Sequence, residues 1–171
     1  MKSIAWLKTL IPVLTLWACG TNPVTQELTE ADRRLSQNAL KSLVVHEGLE
    51  AELFASEPML RNPTNMDIDS RGRVWVTEAY NYRPLKNPDQ EYEPKGDRIV
   101  ILEDTDSDGV ADHSKIYFQD PLIDAAIGIL VLGNKVVVSR SPNVLIFTDL
   151  DNDDRPDVID TLFTGIGGGR P

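Results

Sequence analysis

The sequence holds a single cysteine, Cys19, among 171 residues. That excludes an internal disulfide framework, a zinc centre of the all-cysteine type and a CxxCH haem attachment. Positive charge is also scarce. Lys and Arg number 17 against 27 Asp and Glu, for a formal net charge of −10. A chain that grips nucleic acid needs clustered Lys and Arg against the phosphates, so nucleic acid is excluded as a partner. No apolar run approaches the roughly 20 residues of a membrane-spanning helix. The two histidines, His46 and His113, stand singly, and no Ser-His-Asp or Cys-His constellation is discernible. Gly165-x-Gly167-Gly168-Gly169 has the wrong spacing for a nucleotide loop, and no helix follows it. What remains is ordinary for a folded chain: 41% hydrophobic and 26% charged residues, enough for one modest domain and incompatible with wholesale disorder.

The first eighteen residues read as an address. Lys2 and Lys8 supply positive charge, and the apolar run from Leu10 to Ala18, broken by Pro12 and Thr15, has the size of a signal-peptide core. It ends Leu16-Trp17-Ala18-Cys19-Gly20, which resembles the bacterial lipobox, with Trp17 as the departure from it. Acylated Cys19 would anchor the chain to a membrane without a transmembrane helix. Gly20, where inner-membrane retention would want Asp, points to the outer membrane or the periplasmic face of the envelope. The alternative is a plain secretory signal with an incidental cysteine. Residues 19–43 read as a tether followed by a short helix over 29–43, with Thr29 as N-cap and Leu35, Ala39 and Leu43 as its apolar stripe.

From Val44 the pattern changes to period two. Strands are expected at 50–55, 65–69, 74–79, 98–103, 114–118, 127–132, 135–139, 144–148 and 158–163, separated by turn chemistry and aspartate-rich loops. Strands without helices between them make residues 44–171 an all-β domain. A repeat narrows the choice. Residues 99–118 lie over 144–163 without a gap, Asp104 over Asp149 and Phe118 over Phe163, while Val74-Trp75-Val76 matches Val136-Val137-Val138. The extra residues of the first unit fall in the polar insertion Tyr80–Asp97. Each unit is then strand, turn, strand, strand, acidic loop, strand, as in a blade of a β-propeller. The expected architecture is a partial propeller of two four-stranded blades, about 64–120 and 124–165. The competing reading is two acidic hairpins in a sandwich. Propellers close with roughly four to eight blades. The chain is therefore expected to be the opening part of a longer protein, or else a short chain that self-associates through exposed blade edges.

The acidic loops carry the strongest chemical signal. Asp104, Asp106 and Asp108 alternate, Gly109 permits a sharp turn, Val110 offers a carbonyl and Asp112 returns a carboxylate. Oxygen-only ligands on such a loop suit Ca²⁺. Position 12 is Lys115 where an EF-hand needs Glu; a strand on each side instead resembles the calcium hairpins of integrin α-chain propellers. The second loop offers Asp149, Asp151, Asp153 and Asp157, but has Asp154 in place of the glycine and Pro156 after it. A solvated acidic turn without an ion is the alternative for both.

Residues 54–83 followed by 96–112, with Glu57-Pro58, Arg71-Gly72-Arg73-Val74-Trp75-Val76, Glu78, Tyr82-Arg83 and the first acidic loop, resemble the secreted propeller proteins of the membrane-bound dehydrogenase type. These occur in planctomycetes and Bacteroidetes and are similar to the six-bladed sugar dehydrogenases that use pyrroloquinoline quinone. The resemblance covers roughly 44–165. It implies a site at the mouth of the central channel, where Glu78 would act as base or pair with Arg83 or Arg98. Arg83, with Arg98 and Arg140, would bind the cofactor or a substrate carboxylate. It further implies a quinone-dependent oxidoreductase acting on sugars or alcohols in the full-length protein, with the 171-residue chain inactive by itself. A structural ion pair at Glu78 is the alternative role for that residue. A calcium-stabilised propeller that binds a glycan or protein without chemistry is the alternative function, and a non-functional truncated product is the third possibility. Trp75 reads as core.

Overall fold

The computed structural model describes residues 29–33, 35–82 and 91–166. The signal segment, Cys19 and Arg83 lie outside the described residues. The element order is α1 (Glu30–Arg33), β1 (Pro63–Ile68), β2 (Val74–Glu78), β3 (Arg98–Glu103), β4 (His113–Gln119), β5 (Gly128–Leu132), β6 (Lys135–Arg140), β7 (Asn143–Thr148) and β8 (Val158–Thr164). Two four-stranded antiparallel sheets follow, β1-β2-β3-β4 and β5-β6-β7-β8, each strand pairing with its sequence neighbour. Eight of the nine expected strands are present, and the all-β expectation holds to that extent.

Alternation within the strands explains how the sheets stack. In β2 and β3 the side chains of Trp75, Ile99 and Ile101 point to one face and those of Val74, Val76, Val100 and Leu102 to the other. The first set, with Tyr117, packs against Val131, Val136, Val138, Leu145 and Phe147 of the second sheet, and all are buried. Ile123 and Ala126, from the connection between the sheets, complete this core. Trp75 is 4% exposed, meets Tyr117 edge-on at 4.8 Å between ring centroids, and is core as expected. The inner strands are keyed together by polar bonds: Thr64 Oγ1 donates to the Ala126 carbonyl at 2.7 Å, and the Val131 N–H donates to Asp67 Oδ2 at 2.7 Å.

The repeat is visible in the backbone. The pairing of the third and fourth strands shifts register between Ile99 and Val100 in the first sheet and between Val144 and Leu145 in the second, the aligned positions; the first sheet has another shift between Pro63 and Asn65. Positive φ recurs likewise, at Ser107 and Asn152 (64° and 60°) and at Gly109 and Asp154 (91° and 62°).

Two expectations fail locally. Residues 50–55 form no strand. They run across the outer face of the first sheet, where Phe54 and Ala55 join Met59 and Leu60 over Val74, Val76, Val100 and Leu102. A segment that covers a face cannot also pair with an edge; its bond to the sheet's loop is the Ala111 N–H to the Phe54 carbonyl, 2.8 Å. The helix expected over 29–43 is a single α-turn, Glu30–Arg33, followed by a 3₁₀ segment, Ser36–Ser42. Leu35 and Leu43, two of its three apolar stripe residues, are 46% and 55% exposed. Without packing on that stripe, a helix this short has little to hold it. Among the described residues no helix is long and apolar enough to cross a membrane.

Candidate functional site: two acidic hairpin loops

Both acidic loops lie at the same end of the stacked sheets, each joining the third and fourth strand of its unit. In the first, Asp104, Asp106 and Asp108 each place a carboxylate oxygen within 4.8 Å of the others, and Asp149, Asp151 and Asp153 do the same in the second. The sequence therefore brings together six of its eight predicted carboxylate ligands. Three carboxylates at that separation repel one another, which a hard cation would relieve. Asp112 and Asp157 are used differently. Asp112 closes its loop by accepting from the Thr105 N–H at 3.2 Å and hydroxyl at 2.6 Å, and Asp157 accepts from the Leu150 N–H at 2.6 Å. Val110 donates its N–H to Asp108 Oδ1 at 2.8 Å.

The wiring of the two loops is alike. The Gly109 N–H donates to Asp104 Oδ2 at 2.9 Å, and the aligned Asp154 N–H donates to Asp149 Oδ2 at 3.0 Å. The backbone N–H of Gly109, with those of Asp108 and Ser107, holds the Asp104 carboxyl below the ordinary range of a carboxylate. Both loops are thus drawn around the carboxylate of their first aspartate.

Their neighbours differ. A side chain on Gly109 would come within 2.8 Å of Glu52 Oε2, so the first loop has another acid beside it. Asp154, at the aligned place, turns its carboxylate to the first sheet. It accepts from Arg73 Nη1 at 2.9 Å and Arg71 Nη2 at 3.2 Å, and lies 3.3 Å from Lys115 Nζ, which also donates to the Asp153 carbonyl. Arg73 is 8% exposed and also donates from Nε to Asp69 Oδ2 at 2.7 Å. Burial pushes the Asp69 carboxyl up, but the bonds from Trp75 Nε1 and Arg73 outweigh it and hold the group below its ordinary value. The sequence pattern marked Asp154 only as a missing glycine. Its role as the clasp between sheets was not foreseen, although Arg71 and Arg73 stood in the quoted motif.

At the opposite end lie Glu78, Arg98 and Arg140, three of the four site residues that the family resemblance singled out. Glu78 is 1% exposed, and its carboxylate accepts three bonds: from Arg98 Nε at 2.6 Å, Arg98 Nη2 at 2.7 Å and the Arg61 N–H at 2.7 Å. This is the bidentate Glu78–Arg98 pair that the sequence allowed as one of its alternatives. Arg140 donates from Nε to the Asp124 carbonyl at 3.2 Å. A second polar knot went unforeseen. Asp97, 1% exposed, accepts from the Asn81 and Ala125 N–H groups at 2.8 Å each, and donates its own N–H to Asp124 Oδ1 at 2.8 Å. Burial pushes the Asp97 carboxyl up. These bonds tie the insertion to the connection between sheets. Gly96, with φ of +86°, sits so close to the Asp120 carbonyl carbon that a Cβ would lie 2.2 Å from it.

The model of a protein family described as a domain of unknown function (DUF7133) matches residues 35–171. No curated protein and no solved structure matches the chain.

Proposed function

We propose that this chain, which belongs to the DUF7133 domain family, is an exported, envelope-anchored module of propeller type whose two acidic hairpin loops bind Ca²⁺. On this reading its work is binding without chemistry, with a glycan or protein as ligand and Cys19 as the lipid anchor. One observation carries the calcium reading: the same three-carboxylate cluster recurs at the aligned position of both repeats, with oxygens within 4.8 Å in each. A chance acidic turn has no reason to repeat its positive-φ residues and its closing hydrogen bonds. The half-buried outer face of the second sheet supports propeller-type stacking. Val137, Val144, Ile146 and Leu162 occupy the places that Trp75, Ile99, Ile101 and Tyr117 hold on the face which the second sheet covers.

The dehydrogenase reading asks Glu78 for a free carboxylate and the arginines for free forks. Glu78 already accepts three bonds, Arg98 is bound to it, and Arg140 is bound to Asp124. Glu78 and Arg98 are thus committed to each other, and that commitment favours the non-catalytic reading.

The test is a melting curve of the full chain in Ca²⁺, in Mg²⁺ and in EDTA. We expect Ca²⁺ to raise the melting temperature by several degrees, as ligand binding at a hundred times Kd contributes about 2.7 kcal/mol. Equal melting in all three would remove the calcium reading. In the same preparation we expect no dye reduction with pyrroloquinoline quinone and a panel of sugars.

A further inference from the structure

The second acidic loop adjoins a small, partly open space between the sheets, about 20 Å³ in volume. Tyr117 lines it from the first sheet, with Asp149, Asn152 and Asp154 from the loop. Tyr117 is 3% exposed, and its ring is held edge-on between Trp75 and Phe147. Among the described residues its hydroxyl is the buried side-chain polar atom left without a hydrogen-bond partner. The polar groups around it are engaged with one another. Arg73 holds Asp69 and Asp154, Asn134 Nδ2 donates to the Asp149 carbonyl, and Asp149 accepts from the Asn152 and Asp154 N–H groups. A buried hydroxyl without a partner is uncommon and calls for an explanation. The space is large enough for one water, which needs about 10–15 Å³.

We propose that the second loop binds a divalent cation through Asp149, Asp151 and Asp153, and that one of its remaining ligands is a water lodged between the sheets and held by the Tyr117 hydroxyl. The inference rests on the calcium reading above and adds a coupling to it. Calcium takes six to eight oxygens, so three loop carboxylates leave places for water. Asp149 is the buried member of its cluster, and Asp151 and Asp153 are exposed. A cation among them therefore has one side towards the interior, where Tyr117 stands. The bound water donates to the Tyr117 oxygen, and the first sheet thereby acquires a stake in an ion held by the second. The first loop is the internal control, since the group beside its glycine is Glu52 and not a phenol.

Calcium titration of the full chain by calorimetry tests this, with Asp106→Asn and Asp108→Asn disabling the first loop. Removing a hydrogen-bonding partner of a metal ligand weakens binding by 10–100-fold. We expect Tyr117→Phe to weaken the second loop about tenfold, near the low end of that range, and to leave the first loop unchanged when the second is disabled instead by Asp151→Asn and Asp153→Asn. Because the hydroxyl has no protein partner, the calcium-free melting temperature of Tyr117→Phe should stay the same or rise, while its calcium-induced increase shrinks. A merely structural Tyr117 would lower the calcium-free value and leave the affinity alone. Second-loop affinity unchanged by Tyr117→Phe, or uptake by the first loop only, overturns the coupling and leaves the calcium reading standing. No uptake by either loop overturns both.

Discussion

The two acidic loops share a backbone and differ in what surrounds them. Loop 104–112 has a glycine at its tightest point and a glutamate beside it. Loop 149–157 has Asp154 there, and that residue reaches Arg71, Arg73 and Lys115 on the other sheet. In the first loop Arg73 reaches the neighbouring Glu103 at 3.3 Å, and the three-aspartate cluster itself carries no ion pair among the described residues. The second divides its five acids, three to the cluster, Asp154 to the clasp and Asp157 to the closure of the loop. A repeat can thus keep a loop's geometry and change its task by one residue, provided the neighbouring unit supplies the partner. The difference also ranks the loops as cation sites: the first has the more negative surroundings and should bind Ca²⁺ more tightly.

The largest contrast should come from the two aligned basic residues at the start of the second strand of each unit, Arg73 just before β2 and Lys135 as the first residue of β6. Arg73 is 8% exposed and bound to Asp69 and Asp154, whereas Lys135 is exposed. Arg73→Met takes the guanidinium away from two half-buried carboxylates, which keep Trp75 on Asp69 and Arg71 and Lys115 on Asp154, and should lower unfolding stability by about 3 kcal/mol, the low end for breaking a buried pair. Lys135→Met should change it by less than about 0.5 kcal/mol, since surface positions without special contacts are usually near neutral. Chemical denaturation of the two variants side by side reads the contrast; equal losses would mean that the clasp has no special weight.

Exchanging the residues at the loop tips should come next. Asp154→Gly gives up the clasp but keeps the turn, and should lower stability by about 1–3 kcal/mol. Gly109→Asp sets a carboxylate against Glu52 in a left-handed conformation, with no arginine to receive it. It should weaken calcium binding at the first loop by like-charge crowding around its ligands, readable by titration with the second loop disabled. A clasp residue that transplanted freely would show that the neighbours are irrelevant.

The smallest effect should be in the pH profile. The Asp69 pKa is held below its ordinary value in the folded protein. A depressed carboxyl contributes stability that is present above its unfolded pKa, near 3.9, and is lost as pH falls through the folded value. Asp97 is raised, so its contribution has the opposite sign: present below its unfolded pKa and lost as pH rises through the folded one. Asp69→Asn should therefore flatten the acid limb of the stability curve. An unchanged acid limb would deny the Arg73–Asp69 contact any part in stability.

Much of the fold was legible because it is written in period two. Strands β2, β3, β6 and β7 alternate cleanly between two faces, and their limits fall within a residue of those expected. The ungapped match of 99–118 to 144–163 agrees with the register shift that the two sheets share at aligned positions. Residues 50–55 misled because Leu53 and Phe54 suit a covering segment as well as a strand, and local pattern does not say whether a segment pairs or packs. The carboxylates of the site were legible from spacing alone. The clasp and Tyr117 were not, since both depend on which face of one sheet meets the loop of the other. That is a property of stacking, which no single repeat contains.

The most direct test of the account is a count of Ca²⁺ bound per full chain at equilibrium, repeated with each loop disabled. The account predicts two ions, one lost with Asp106→Asn and Asp108→Asn and the other with Asp151→Asn and Asp153→Asn, the first loop filling at lower calcium. A count of zero, or a count indifferent to either pair of substitutions, would contradict it.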